Sequence, residues 1–373
     1  CNVKKNSSLI PFAFGMKIDI IRSFFRWHLK GKNSCQDCIN VDSIKTILIM
    51  SNTAIGDTLF STPAIRLIKE KYPNKRIIAL LNPNNYQLFE NNPYIDLIIL
   101  YRGKWRNFLN VMFQLRHLNI DLALIMHSNE PQATPLAYCS GSKYIIKIPN
   151  NQNEFRFLHH NSPIAAESHE HFIDRRLRQI EYINISKKSY NMDIFLNEEW
   201  KKSINGLLKE GQIHIGFQMG ASSISRMWFL ESWTDLARKV LSYHKSWNIV
   251  LTGSKVDQSS ASSLCSKIED NRIIDLTGSL DLGPVAALIG RLDLLVTPDT
   301  GPLHIAAAMN TPTLAISVAG RAEESNPRSN ITQHIFIQKQ ITCNPCIDKK
   351  CKYQKCMLQI TSDEVFEQIC NTI

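Results

Sequence analysis

Thr46–Met50, Arg76–Leu81, Asp96–Tyr101, Leu122–Met126 and Tyr144–Ile148 are short β-branched or aliphatic runs, and helical stretches such as Thr62–Lys71 and Trp105–Leu118 lie between them. Strands that alternate with helices predict a parallel sheet wound by crossover connections, and few other architectures accept the pattern. Residues 150–170 are polar and rich in His and Asn around Pro163, which marks a loop, and Glu170–Ile185 reads as a helix leading away from the first array. The alternation then resumes. Gln212–Gln218, Asn248–Leu251, Arg272–Leu276, Asp293–Val296 and Thr313–Val318 are strand candidates, with Trp233–Tyr243, Gln258–Ile268 and Leu282–Ile289 helical between them. The fold class expected is therefore α/β: two Rossmann-like, doubly wound parallel sheets, joined near residues 185–205 and facing one another across a cleft. Such sheets bind ligands beyond the carboxyl ends of their strands. The expected division is an N-terminal extension (1–43), a first domain (44–190), a second domain (191–342) and a Cys-rich segment with a C-terminal helix (343–373).

A length of 373 residues suits two domains of common size. No apolar run approaches the roughly 20 residues of a membrane-spanning helix; the longest, Leu97–Leu100 and Leu122–Met126, are of strand length. The formal net charge of +10 implies anionic partners, whether nucleic acid, lipid headgroups or phosphorylated substrates. The chain has no Lys/Arg block, no Cys/His zinc-finger spacing and no aromatic-basic motif for single strands, so nucleic acid is not an expected partner. Ile18 to Lys32 can form a basic helix in which Lys17, Arg22, Arg26, Lys30 and Lys32 surround Ile20, Ile21, Phe24, Phe25 and Trp27. It either packs on the body or lies peripherally on an anionic inner-membrane face. The ten cysteines are neither scarce nor dense, with Cys35 and Cys38 early and Cys343, Cys346, Cys351 and Cys356 clustered late; such short spacings read as metal ligands or free thiols rather than a secreted disulfide framework and fit a cytoplasmic setting. Met16 is a candidate internal start, and a processed lipoprotein end at Cys1 is the alternative.

Three segments carry chemistry. Ser51 to Thr58 follows the first strand and contains Gly56 and Asp57; the glycine lets backbone approach a ligand, and Asp57 either faces the cleft or caps a helix Thr58–Lys71. Thr297 to His304 follows a late strand, with Asp299 or Thr300 suited to capping, Pro302 to the first turn, and the small-residue helix Ile305–Ala308 behind them. Its free amides form a site for a pyrophosphate, and His304 in the first turn can face the same anion. Gly220 to Trp228 follows another strand and offers Ser222, Ser223 and Arg226 for phosphate contact. Each also admits a plain reading: a capped core helix for the first two, a solvated loop for the third.

In order and spacing, these segments resemble glycosyltransferase family 9, the ADP-heptose:lipopolysaccharide heptosyltransferases, with their GT-B double-Rossmann fold. The matching stretches are Ile47–Ile49 through Gly56-Asp57, Thr62-Pro63-Ala64-Ile65-Arg66 and Tyr72-Pro73 in the first half. In the second they are Gly220-Ala221-Ser222 with Arg226 and Trp228, Leu251-Thr252-Gly253, Leu276-Thr277-Gly278, and Asp299-Thr300-Gly301-Pro302 with His304. The resemblance covers roughly residues 44–370. It implies an acceptor-binding first domain and a donor-binding second domain, with Asp57 as the general base and no metal or other cofactor in the chemistry. Ser222, Ser223, Arg226, Thr300 and Gly301 would hold the diphosphate, Arg226 standing where family members commonly have lysine. Asp299 and His304 would position donor sugar or phosphate, Asp257 would reach the ribose, and Gly56 and Asn129 would lie on the acceptor side. The late cysteines also resemble a family pattern, and four thiolates so spaced either close a structural zinc or iron site or remain free.

The function so implied is inverting transfer of a heptose from an ADP-sugar to a lipopolysaccharide core or related glycan or glycolipid. Alternatives are heptosyl transfer to Ser/Thr of a surface adhesin, a GT-B sugar-nucleotide epimerase, and a catalytically silent basic scaffold.

Overall fold

A computed structural model of the protein describes residues 39–103, 105–129, 131–148, 155–160, 170–317, 322–328, 333–339 and 354–373, together with Ser23 and Cys351. The basic helix expected over Ile18–Lys32 lies outside them apart from Ser23, as do Cys35, Cys38, Cys343 and Cys346.

The first sheet consists of β1 (Thr46–Ser51), β2 (Arg76–Leu81), β3 (Leu97–Leu100), β4 (Leu122–His127) and β5 (Tyr144–Lys147), in the order β3-β2-β1-β4-β5 with every pair parallel. Central β1 is buried at all its positions because helices cover both faces, which is why it reads as a continuous aliphatic run. Its side chains alternate between the two faces. Ile47 and Ile49 pack with α2 (Thr62–Lys71) and α5 (Phe172–Glu181), whereas Leu48 and Met50 pack with α3 (Phe108–Arg116) and α4 (Ala133–Cys139). Short α1 (Ile55–Leu59) sits between β1 and α2. The single helix expected from Thr58 to Lys71 is therefore two, broken at Phe60-Ser61.

After α6 (Glu198–Ser203), the second sheet runs through β6 (Ile213–Gln218), β7 (Trp247–Thr252), β8 (Ile273–Asp275), β9 (Leu294–Pro298), β10 (Thr313–Ser317) and β11 (His334–Gln338). Its order is β11-β10-β9-β6-β7-β8, again all parallel. The connecting helices are α7 (Leu230–Tyr243), α8 (Gln258–Ile268), α9 (Leu282–Ile289), α10 (Gly301–Ala308) and α11 (Ala322–Ser325). Strand β11 extends the five expected strands by one; it is a half-buried edge, so its sequence lacks the solid aliphatic run of a central strand. C-terminal α12 (Ser362–Thr372) returns to the second domain, burying Val365 and Ile369 beside Trp233 and Val240 of α7.

Aspartates fix the strand starts in both sheets. Asp121 Oδ2 accepts the backbone N–H groups of Lys45 and Thr46 at 2.9 and 3.0 Å, and Asp293 Oδ2 accepts that of His214 at 2.7 Å. Each satisfies a donor at the end of a ladder that sheet pairing leaves open.

One apolar cluster continues from Ile47, Leu59 and Ile65 through Trp200 of α6 to Ala286, Ile289 and Ile305, so the domains share a core. His171 Nε2 donates to Asn326 O at 2.8 Å, and Arg328 pairs with Asp174 at 2.8 Å across the same junction. No helix among the described residues is long and apolar enough to cross a membrane.

Gly283, at the start of α9, lies directly under the Trp200 indole, and a Cβ there would collide with the ring. Gly283→Val should therefore cost about 1–3 kcal/mol, the usual cost of overpacking, measured by urea unfolding; unchanged stability would show that the inter-domain core is looser than its packing.

Candidate active site

In a doubly wound sheet, ligands bind where neighbouring strands send their connections to opposite faces. That switch falls between β1 and β4 in the first sheet and between β6 and β9 in the second. The turns beyond those four strands hold Ser51–Thr58, His127–Asn129, Gly220–Arg226 and Asp299–Gly301. Topology alone thus gathers the three segments that the sequence singled out.

On the first-domain side Asp57 lies in the first turn of α1, its side chain about one quarter exposed (24%). It caps nothing: the N-cap residue is Ala54 and no side chain caps that helix. The carboxylate instead faces three groups. Thr53 Oγ1 donates to Oδ2 at 3.3 Å, His127 Nδ1 lies 3.6 Å from Oδ2, and Arg176 Nη2 lies 3.7 Å from Oδ1. Thr53 Oγ1 and His127 Nδ1 are themselves 2.6 Å apart.

Arg176 was not among the residues the sequence pointed to, yet it organises this side. Its side chain is only 2% exposed. Nη2 donates to Asp57 O at 3.2 Å, Nε to Ser61 Oγ at 3.4 Å and Nη1 to Phe172 O at 2.7 Å, with the Phe60 ring 5.5 Å away. Burial pulls its pKa down to about 10 while Asp57 pulls it back up, so it stays a cation at neutral pH. The signal was in the sequence: Arg176 falls on the apolar stripe Ile173, Leu177, Ile180 of α5, where a charged residue needs a reason to be. His127 ends β4 in the cleft. Burial lowers its pKa, Asp57 raises it, and Arg176, Lys147 and Arg175 lower it further, which leaves a neutral imidazole at pH 7. Lys147, at the end of neighbouring β5, is buried and pushed down to about 8 by desolvation. Gly56 and Asn129 lie on this side too, the Asn129 amide donating to Arg102 O at 3.4 Å.

On the second-domain side α10 begins at Gly301 with Thr300 as N-cap residue and Pro302 in the first turn, but neither Asp299 nor Thr300 caps through its side chain. Thr300 Oγ1 turns back to Pro298 O at 3.3 Å. The amide end of α10 thus carries its partial positive charge without a side-chain oxygen on it. Arg226 reaches the same turn, with Nη1 3.2 Å from Asp299 O and 3.9 Å from Asp299 Oδ2. Ser222 is exposed and Ser223 half-buried, its Oγ 3.0 Å from Ser225 Oγ.

Two residues expected to meet the donor have further partners in the protein itself. His304 was expected to face the anion; its ring lies instead on Gly56 and edge-on to Phe60, with centroids 4.7 Å apart, while Nε2 stays 4.0 Å from Asp299 Oδ1. The phase of α10 turns this residue toward the first domain. Asp257 was expected at a ribose; its carboxylate accepts the Ser254 N–H at 2.8 Å and Ser254 Oγ at 2.7 Å in a capping box. Of the late cysteines, Cys351 and Cys356 are half-buried and neither is in a disulfide. Among the described residues no three His, Cys, Asp or Glu side chains group so as to hold a metal ion.

Residues 110–357 match the family model for glycosyltransferase family 9 (heptosyltransferase), well over half of the 373-residue chain. The chain belongs to glycosyltransferase family 9. Lipooligosaccharide heptosyltransferase 2 of Campylobacter jejuni is 26% identical over 337 residues, covering 88% of this chain and 98% of that one. Among solved structures, a family 9 glycosyltransferase from Veillonella parvula superimposes with a TM-score of 0.76 at 20% identity, covering 90% of this chain and 99% of its own. The Escherichia coli ADP-heptose LPS heptosyltransferase II does so with a TM-score of 0.73 at 19% identity, covering 88% and 98%. The paired sheets of this family 9 enzyme are thus the GT-B fold.

The first helix of the Arg176 segment supplies a test. His171 Nδ1 accepts the Ile173 N–H at 3.2 Å and so starts α5, which requires the neutral ring, and burial lowers its pKa to about 4. An unfolded histidine titrates near 6.5, so between about pH 6.5 and 4 the unfolded chain takes up a proton that the folded protein refuses. Stability should fall toward acid across that window, by at most about 1.4 kcal/mol per pH unit from this group. His171→Gln should flatten the fall; identical slopes in urea unfolding at several pH values would remove His171 from it.

Proposed function

We propose that this family 9 enzyme transfers a heptose from ADP-heptose to the lipopolysaccharide core or a related bacterial surface-glycan acceptor, with inversion at the anomeric carbon. The observation that carries this reading is the pairing of the two switch points. A carboxylate braced by Arg176, Thr53 and His127 sits on one side, and an uncapped helix start with Arg226 on the other. The relatives named above, a lipooligosaccharide heptosyltransferase and an ADP-heptose LPS heptosyltransferase, supply the donor and acceptor class.

The acceptor hydroxyl loses its proton to the Asp57 carboxylate as its oxygen forms the bond to the anomeric carbon. The bond from that carbon to the β-phosphate oxygen breaks, and its electron pair leaves with ADP. Charge that grows on the leaving diphosphate meets the Thr300 and Gly301 amides and the Arg226 guanidinium, already placed before reaction. Ser222 and Ser223 add hydroxyl donors from the β6 turn, and Asp299 holds Arg226 in place. Arginine at that position keeps the charge of the commoner lysine and adds a planar fork for a phosphate. Thr53 and the neutral His127 orient the carboxylate toward the acceptor. His304 acts from behind, against Gly56, and Asp257, held at Oδ2 by Ser254, keeps Oδ1 beside Gly220 for a ribose hydroxyl. The reaction so drawn uses no metal or cofactor.

Asp57→Asn keeps shape but removes the proton acceptor. Turnover of ADP-heptose with a lipid-linked acceptor should fall by about two to four orders of magnitude, the usual worth of a positioned base. Donor affinity, read by calorimetry, should stay within a few-fold. Turnover near wild type would take Asp57 out of the mechanism, and isomerised donor without transfer would replace the transferase reading with an epimerase.

A further inference from the structure

Helix α3 is apolar on two faces. Phe108, Val111 and Leu115, at spacing i, i+3, i+7, are buried against the first sheet. Leu109 and Phe113, one turn apart, point outward at 63% and 56% exposure, and Arg116 continues their row at i+7. Leu100, the last residue of β3, adds a third outward apolar side chain at 43%. A helix with apolar side chains on both faces is normally covered on both. The face in question is turned away from the second domain, because the inter-domain core lies on the opposite side of the sheet.

Charge narrows what can cover it. The sequence from Leu97 to Ile120 carries Arg102, Lys104, Arg106 and Arg116 and no Asp or Glu. The flanking acids, Asp96 and Asp121, lie at the amino-terminal ends of their strands. There they are engaged by Ile77 N–H and Lys69, and by Lys45 N–H, Thr46 N–H and Lys143. A second copy of this chain would bring the same unopposed positive strip against itself, which like-charge repulsion disfavours. Two large exposed apolar side chains with Arg116 in their row, on a segment whose charged residues are all basic, instead match a bilayer surface, with acyl boundary for Leu109 and Phe113 and anionic headgroups for the basic residues.

The stripe is also continuous with the reacting centre. The segment that leads into α3 is tied to the rim of the cleft, where the Asn52 amide donates to Tyr101 O at 3.2 Å and the Asn129 amide to Arg102 O at 3.4 Å. Asn52 and Asn129 follow β1 and β4, the two strands that place Asp57 and His127.

We propose that the outward face of α3, Leu109 and Phe113 with Arg116 in the same row, seats the first domain on an anionic lipid bilayer and so brings a membrane-anchored acceptor to Asp57. The glycolipid acceptor in this statement rests on the function proposed above; the lipid contact itself does not. The stripe lies on the surface and takes no part in the cleft, so its variants leave the chemistry intact.

The test is co-sedimentation of the full chain with vesicles of phosphatidylglycerol and phosphatidylcholine in equal parts, beside vesicles of phosphatidylcholine alone. Wild type should bind the anionic vesicles, lose them at high salt and bind the neutral ones weakly. Leu109→Gln/Phe113→Gln should lower partitioning onto anionic vesicles by about tenfold, and Arg116→Gln by about fivefold, with unchanged circular dichroism and unchanged affinity for ADP. Partitioning of the double variant equal to wild type overturns the proposal, as does a self-associating wild type that the double variant renders monomeric. If the double variant loses vesicles as expected but wild type transfers heptose to no glycolipid, the lipid contact stands and the acceptor assignment falls.

Discussion

The two halves of the candidate active site face each other across a close approach of α1 and α10 at one residue, Gly56. The His304 ring of the second domain rests where a Cβ would otherwise be, and Ile55 lies against Gly301 beside it, 3.3 Å from where that residue's Cβ would sit. A side chain at position 56 would meet the His304 ring and could be fitted only by moving that ring or α10. The approach is held by burial on both sides: Gly56, Leu59, His304 and Ile305 are all closed to solvent, and Phe60 packs edge-on to the imidazole. His304 leaves Nδ1 buried with no partner among the described residues, a cost of about 1–3 kcal/mol that an apolar residue would avoid.

Behind that contact stands a buried charge. Removing a guanidinium from water costs several kcal/mol even after relaxation. Arg176 offsets this with hydrogen bonds to Asp57 O, Ser61 Oγ and Phe172 O and with the nearby Asp57 carboxylate. An apolar residue at the same place would serve a hydrophobic stripe better. What the arginine adds is a fixed cation 3.7 Å from the Asp57 carboxylate, and it reaches that position from α5, the helix that His171 starts at the domain junction. The inter-domain contacts and the placing of the Asp57 carboxylate are therefore parts of one assembly.

Much of this could be read from the sequence, for a physical reason. Strands covered on both faces show as unbroken aliphatic runs, so Arg76–Leu81 was legible to the residue, and helices with a clear stripe and clear ends, such as Thr62–Lys71, Gln258–Ile268 and Leu282–Ile289, were equally plain. The half-exposed edge strand β11 was not, because an edge lacks that run. Local readings failed where a tertiary partner decides a side chain's task. Asp57 has the look of a cap but faces Arg176, more than a hundred residues away in sequence; Asp257, read as a cleft residue, also closes a capping box with Ser254. His304 sits at a helix start yet serves the opposite domain, and only the crossing of α10 over α1 reveals it. Periodicity did expose Arg176, as a charge in phase with Ile173, Leu177 and Ile180, although nothing in its neighbours says which carboxylate it meets.

The claim on which everything else hangs is that the second domain holds the leaving diphosphate opposite Asp57. A crystal structure of the enzyme with ADP tests it most directly. The account predicts the β-phosphate within hydrogen-bond distance of the Thr300 and Gly301 amides and of the Arg226 guanidinium, with the open cleft before it leading to the Asp57 carboxylate. A nucleotide bound in the first domain, or a diphosphate that leaves α10 and Arg226 untouched, would contradict it.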